Sequence, residues 1–282
     1  MSDGLLLVAH GSRSPAGQGE MQALANEVMA RQPSLPVELG YLELCDPPAG
    51  RALDRLVGRG CDRIGVVPLM LHAAGHSKSD VPALVLEARL RHPDVEVTYG
   101  RPFGVDHALV SLAAKRVAAV GGAARPLAVI GRGTSDPDAN AEVCKAARLV
   151  AESTGAPVVV AGFSGVTWPT VPESLDQLTR LADGPLTVFT WFLATGVLLD
   201  RIASDVAALR QRTGLGVTEA GWFGPDPVVA ELTLARFEEA MGGQVRMNCD
   251  ACAYRRPFPG LEGRVGQALG RGHSHLAAEH RH

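Results

Sequence analysis

Short apolar runs alternate along the chain with segments in which apolar residues recur every three or four positions. Residues 5–9 form the first run, and Met21, Leu24 and Val28 mark the helical spacing behind it, until Pro33 breaks the pattern. A bounded apolar run of this length is typical of a strand buried on both faces of a parallel sheet. Further strands are predicted at residues 37–43, 64–71 and 95–99. Strands that alternate with helices predict an α/β fold.

The second half of the chain repeats the first. Gly40 and Pro47 recur 122 residues later as Gly162 and Pro169, and other glycines, prolines and apolar positions follow the same offset. Such a repeat predicts two similar α/β domains, each a small parallel sheet flanked by helices, that face each other across a cleft. The predicted domains are residues 1–122 and 123–245, followed by a flexible tail at residues 246–282.

Three residues with metal-binding side chains have no counterpart in the second half: His10, Glu43 and His76. Each lies at or just beyond the carboxyl end of a predicted strand, at the edge of the sheet where ligands bind in open α/β folds. The matching or neighbouring positions of the second half hold Arg132, Gly165 and Val197. A residue that the fold requires should recur in both copies, so the asymmetry favours a functional role. The alternative is a histidine that only packs and was lost from one copy.

The chemistry of this set points to a metal. Two imidazoles and a carboxylate suit a divalent transition metal such as cobalt, iron or nickel, and the ligand types do not choose among them. Three protein ligands leave coordination positions open for a substrate. The chain has no Gly-x-x-x-x-Gly-Lys-Ser/Thr loop, so ATP is not implied. His72 is predicted to be a peripheral cleft residue rather than a ligand.

Composition narrows the classes of partner. The 282 residues carry a formal net charge of −3 with both signs interspersed, which disfavours nucleic acid without excluding it. The run at residues 5–9 is too short for a signal-peptide core, and no window is long and apolar enough to span a bilayer. Five cysteines, an odd number, do not make a disulfide framework. We expect a cytoplasmic protein that binds neither nucleic acid nor a membrane.

Four motifs occur in order along the two halves. They are Val8-Ala9-His10-Gly11-Ser12-Arg13, Tyr41-Leu42-Glu43-Leu44, the segment from Pro68-Leu69-Met70-Leu71 to Asp80-Val81-Pro82, and Gly131-Arg132-Gly133-Thr134-Ser135-Asp136. With the duplication, they resemble the class II sirohydrochlorin chelatases, above all the long, duplicated cobaltochelatase form, over residues 1–245. The resemblance implies a lyase that inserts Co²⁺, or Fe²⁺ in siroheme synthesis, into the tetrapyrrole sirohydrochlorin without ATP. It implies metal binding by His10 and His76, assisted by Glu43.

The implied substrate is rich in carboxylates, so its cleft needs hydrogen-bond donors. The predicted donors are Ser12, Arg13, Lys78 and Arg132. For Arg13 and Lys78, ordinary solvated surface charge is an equal alternative. Neutral imidazoles and an ionised Glu43 can hold the metal or accept the two pyrrole protons, and the sequence does not assign these roles.

The tail carries a Cys-x-x-Cys pair, Cys249 and Cys252. The resemblance implies an iron–sulfur cluster shared across a homodimer, and a single metal ion or two free thiols are the alternatives. The alternative function for the whole chain is a non-catalytic protein that binds or delivers metal or tetrapyrrole, with the tail as its working part. A two-lobed small-ligand binding protein is disfavoured, because it needs no His/His/Glu set in one lobe.

Overall fold

A computed structural model describes residues 2–246, 254–255, 257, 260 and 262–267. The first half forms β1 (Asp3–Ala9), α1 (Pro15–Arg31), β2 (Val37–Tyr41), α2 (Ala49–Gly58), β3 (Arg63–Pro68), a π-helical turn (His76–Asp80), α3 (Val81–Arg91), β4 (Glu96–Tyr99) and α4 (His107–Ala119). The second half forms β5 (Leu127–Gly131), α5 (Pro137–Thr154), β6 (Val159–Phe163), α6 (Val171–Leu181), β7 (Leu186–Thr190), α7 (Val197–Thr213), β8 (Val217–Glu219) and α8 (Pro227–Met241). A short 3-10 helix (Glu262–Arg264) follows in the tail.

The strands make two parallel sheets with the orders β2-β1-β3-β4 and β6-β5-β7-β8. Strand β1 is central, and both of its faces are covered. Leu5 and Leu7 pack into a core with α1, whereas Leu6 and Val8 pack into a second core with α2 and α3. Burial on both faces explains the unbroken apolar run in the sequence. The predicted α/β fold with two parallel sheets is confirmed.

Two strands end earlier than the apolar pattern predicts. Strand β2 ends at Tyr41, because its backbone N–H bonds to Pro47 O at 3.0 Å as the chain turns toward α2. Strand β3 ends at Pro68, after which the N–H of Met70 folds back onto the Pro68 carbonyl at 2.9 Å. The π-helical turn before α3 was not predicted. These departures lie at the carboxyl edge of the first sheet.

The last helix of each half packs against the other half. Helix α8 lies on β3 and α1, and α4 lies on α5 and β7. The approach of α8 is close, since a Cβ added at Gly65 would lie 2.6 Å from the ring of Phe237. One hydrophobic core therefore contains residues from both halves. The predicted division at residue 122 stays a prediction. None of the described helices has the length and apolar character needed to cross a bilayer.

Candidate metal centre

His10, Glu43 and His76 come from three segments of the first half that end at one edge of its sheet. His10 follows β1 directly, Glu43 lies two residues past β2, and His76 opens the π-helical turn after β3. Because β1 lies between β2 and β3, the three side chains meet. One ligand atom from each lies within 4.8 Å of the other two, and no other such group of His, Cys, Asp or Glu is found in the described ranges.

The loops hold His10 and Glu43 side by side. The backbone N–H of Glu43 donates to His10 O at 3.1 Å, which continues the β1–β2 pairing beyond Tyr41. Gly11 has a φ of +104°, and a Cβ there would overlap the Glu43 carbonyl oxygen. Only glycine fits this left-handed position and this close approach.

The ring nitrogens of His10 have different surroundings. Nδ1 lies 3.1 Å from the Gly11 carbonyl, which favours a proton on Nδ1 and leaves a lone pair on Nε2. His10 Nε2 is buried and lies 3.2 Å from Glu43 Oε1, but the approach does not have hydrogen-bond geometry. A metal ion between the two atoms would satisfy both.

His76 is oriented by a carboxylate in its own turn. Its Nδ1 lies 2.5 Å from Asp80 Oδ2, a contact that fixes the orientation of the ring and favours metal binding through Nε2. Its ring meets that of His10 edge-on, with centroids 4.5 Å apart. The sequence analysis missed Asp80 as a partner of His76. The i, i+4 spacing of the two residues was the available signal.

The electrostatic surroundings favour a neutral His10. Burial lowers the pKa of His10 most, and electrostatic interactions with His76 and Arg132 lower it further. The Gly11 carbonyl and the Glu43 carboxylate act in the opposite direction and do not compensate. Neutral imidazole is the form that binds a metal or accepts a proton.

The four predicted substrate donors lie in different surroundings. Ser12 is half-buried and its Oγ accepts from the N–H of Ser14, while Arg13 and Arg132 are exposed. Lys78 is different, since its Nζ lies 2.8 Å from Asp136 Oδ2 and 3.3 Å from Asp138 Oδ2.

His72 lies at the contact between the two halves and outside the His10–Glu43–His76 group. Its Nδ1 lies 2.9 Å from Glu142 Oε2 of α5, and its ring stacks on that of Trp191. Cys249 and Cys252 lie outside the described residues. In the described part of the tail, Arg264 donates to Ser135 Oγ at 3.0 Å.

The chain is similar to a known protein family over most of its length. The CbiX family model matches the chain twice, over residues 4–120 and 126–240. The sirohydrochlorin cobaltochelatase of Priestia megaterium is 35% identical over 258 residues, which cover 89% of this chain and 84% of that protein. The sirohydrochlorin ferrochelatase of Bacillus subtilis (strain 168) is 31% identical over 260 residues, which cover 90% and 98%.

A solved structure has a similar fold. The sirohydrochlorin chelatase SirB from Bacillus subtilis subspecies spizizenii, in complex with cobalt, superposes with a TM-score of 0.76 at 28% identity. The match covers 86% of this chain and 97% of that one.

Proposed function

Because the chain belongs to the CbiX family, we propose that it is an enzyme that inserts a divalent metal ion into sirohydrochlorin without ATP, Co²⁺ being the first candidate and Fe²⁺ the second. The observation that carries the proposal is the convergence of His10, Glu43 and His76 on one point. The relatives named as a cobaltochelatase and as a ferrochelatase support the activity and both metals.

The proposed reaction exchanges one divalent ion for two pyrrole protons, so the charge of the macrocycle is unchanged and no oxidant is consumed. His10, Glu43 and His76 hold the ion and leave coordination positions open toward the macrocycle. The lowered pKa of His10 keeps its imidazole neutral, able to bind the ion or to take up a proton. Holding the ion and the macrocycle together converts their encounter into a reaction within one complex.

Three donors are proposed for the carboxylates of the substrate: Ser12, Arg13 and Arg132. Arg132 follows β5 in the second half, and its positive charge contributes to the lowered pKa of His10, which supports a place for it near the metal centre. A guanidinium suits this task because it binds carboxylates in a bidentate manner. Lys78 would have to leave Asp136 and Asp138 before it could act as the fourth donor.

The test is anaerobic absorbance of the purified protein with sirohydrochlorin and Co²⁺ in the absence of ATP. Wild type should convert the free-base spectrum rapidly, whereas His10→Ala and His76→Ala should convert it barely faster than the uncatalysed background. His107→Ala is the matched control, because it removes an exposed imidazole at the start of α4. Its rate should equal that of wild type.

The alternative, a protein that stores or delivers metal or tetrapyrrole, makes the opposite prediction. Removing residues 247–282 should then abolish function, while His10→Ala should have little effect. If wild type only binds the pigment, or if the two histidine variants insert Co²⁺ as fast as wild type, the alternative replaces the enzyme.

The proposal also includes a role for the tail of the chain and a location in the cell. Cys249 and Cys252 would hold an iron–sulfur cluster across a homodimer, in a protein located in the cytoplasm. Iron and sulfide analysis of protein purified without oxygen, compared with Cys249→Ser, tests the cluster. Analytical ultracentrifugation of the same two proteins tests the dimer, which should be lost with the cluster.

A further inference from the structure

The second half contributes no residue to the His10–Glu43–His76 group, yet it holds the segment that carries His76. Lys78 lies in the middle of the π-helical turn, and its ammonium reaches across to Asp136 at 2.8 Å and Asp138 at 3.3 Å. The three side chains are 9%, 1% and 8% exposed, respectively. This is a buried contact, in which charge–charge attraction is much less screened than at the surface.

The two aspartates of this contact lie at the N-terminus of α5, in the second half of the chain. Asp136 caps the N-terminus of α5, and its Oδ1 accepts from the N–H of Asp138 at 3.2 Å. Its own N–H donates to Thr134 Oγ1 at 3.3 Å. Capping binds the carboxylate to the backbone of the helix. The position of the Lys78 ammonium therefore depends on α5, which belongs to the other half of the chain.

Lys78, the basic residue of this contact, lies two residues from the candidate ligand His76. Lys78 and His76 share one π-helical turn, a rare conformation that commonly occurs at functional sites. The same turn is held to β4, because Tyr99 Oη donates to Ser77 O at 2.5 Å. A shift of the turn would move the His76 imidazole relative to His10.

A second contact holds the beginning of the same loop. Glu142, on α5, lies 2.9 Å from His72 Nδ1, four residues before His76. The equivalent glutamate of the first half, Glu20, accepts from the N–H of Thr195 at 2.7 Å. Each half thus uses the first helix of its repeat to hold the loop after the third strand of the other. Only the loop held by α5 carries a candidate ligand.

A buried ion pair is weak evidence for a stabilising role, because desolvation of the charges offsets much of their attraction. A role in fixing the position of the π-helical turn accounts better for a lysine that joins the two halves close to the metal centre. We infer that Lys78, Asp136 and Asp138 are positioning residues for His76, through which the second half of the chain sets the metal affinity of the first. The inference rests on the proposed metal centre and adds a function for the repeat that lacks ligands.

The test measures Co²⁺ binding by the full-length protein alone, without sirohydrochlorin. Lys78→Met and Asp136→Asn should each raise the Kd for Co²⁺ about 10- to 100-fold, the range found when outer partners of metal ligands are removed. They should also alter the visible spectrum of the bound ion, which reports its coordination geometry. Lys78→Arg keeps the charge and should restore part of the affinity. Asparagine is a good N-cap, so Asp136→Asn keeps α5 intact while removing the charge.

Arg116→Met is the matched control. It breaks an ion pair that also joins the two halves, between Arg116 and Asp226 at 3.1 Å, and the hydrogen bonds of this guanidinium go to Asp226 and Phe223 O, not to the π-helical turn or to Asp136 and Asp138. Its Kd for Co²⁺ should equal that of wild type. Thermal unfolding of every variant shows that each is folded at the assay temperature, and Asp138→Asn provides a milder change with the same expected direction.

One outcome overturns the inference: Lys78→Met and Asp136→Asn bind Co²⁺ with wild-type Kd and spectrum. If Lys78→Met then raises the KM for sirohydrochlorin in the insertion assay while Asp136→Asn does not, Lys78 is a substrate donor instead. A failure of the proposed metal centre is recognised separately, because His10→Ala would then bind Co²⁺ as wild type does.

Discussion

Arg236 of α8 donates to the carboxylate of Asp106, at the start of α4, over 2.7 Å. The same guanidinium donates to Phe103 O at 2.7 Å and to Glu239 at 2.8 Å. The equivalent residues in the other half, Arg116 and Asp226, make the corresponding contact at 3.1 Å. The two repeats are therefore joined by reciprocal arginine–aspartate pairs. In each pair, an arginine from the last helix of one half binds the N-cap aspartate of the last helix of the other half.

Arg236→Met should lower the free energy of unfolding by about 3 kcal/mol, because Arg236 is 2% exposed and its removal leaves a partly buried carboxylate without its cation. Urea-induced unfolding measures the change. Arg148→Ala breaks an exposed i, i+4 pair with Glu152 and should have little effect. Equal stability of wild type and Arg236→Met would show that the contact between Arg236 and Asp106 does not stabilise the fold.

The pH dependence of stability should reflect the same contact. Burial alone raises the pKa of Asp106, but hydrogen bonds from the N–H of Ala108 and from Arg236 outweigh it and hold the pKa below its usual value. The folded protein therefore binds a proton at Asp106 less readily than the unfolded chain does. Its contribution to stability is present above the unfolded pKa, about 4, and is lost as the pH falls through the lower folded value.

Asp106→Asn should remove this part of the acid sensitivity. The free energy of unfolding, measured in urea from about pH 6 downward, should fall less steeply below about pH 4 in the variant than in wild type. Parallel pH curves for the two proteins would contradict the lowered pKa of Asp106.

Gly11→Ala should weaken the metal centre. A Cβ at residue 11 would overlap the Glu43 carbonyl oxygen, so the loop that carries Glu43 must move away from His10. We expect the Kd for Co²⁺ to rise at least about tenfold, as when a ligand loses its support. Isothermal titration of the metal-free protein measures it.

Gly60→Ala is the control for backbone strain. Gly60 also has a positive φ, +84°, but a Cβ there would meet no atom within 4 Å. Gly60→Ala should cost about 1 kcal/mol of stability and leave Co²⁺ binding unchanged. Equal effects of the two substitutions on metal affinity would show that the contact between Gly11 and Glu43 is unimportant.

The local pattern of the sequence was sufficient to predict most of the first sheet and, through the repeat, the second. Leu5 to Val8 form an apolar run because alternate residues enter two different cores, and the asymmetry between the halves selected His10, Glu43 and His76, which the structure brings together. The partners of Lys78 could not be predicted. Asp136 and Asp138 lie 58 and 60 residues further along the chain, and pairing at that distance leaves no periodic signal in either segment.

The packing of α4 on the second half and of α8 on the first could not be predicted from the sequence for a related reason. Each helix has an apolar face, and the hydrophobic pattern alone does not say which of the two sheets that face covers. The reciprocal pairs of Arg116 and Arg236 do distinguish them. They depend on partners in the opposite repeat, and these become visible only in the folded chain.

Asp80→Asn should lower the affinity for Co²⁺ about 10- to 100-fold. The carboxylate of Asp80 lies 2.5 Å from His76 Nδ1, where it fixes the ring and makes Nε2 a stronger ligand, and a neutral amide supports the ring less well. Asp54→Asn is a matched control, because Asp54 makes the same type of contact with His92 at 2.8 Å, outside the metal centre. The measurement is Co²⁺ titration of both variants. A loss of affinity confined to Asp80→Asn identifies His76 as a ligand that depends on the Asp80 carboxylate. Unchanged affinity in Asp80→Asn would show that the His76 ring is held by packing alone.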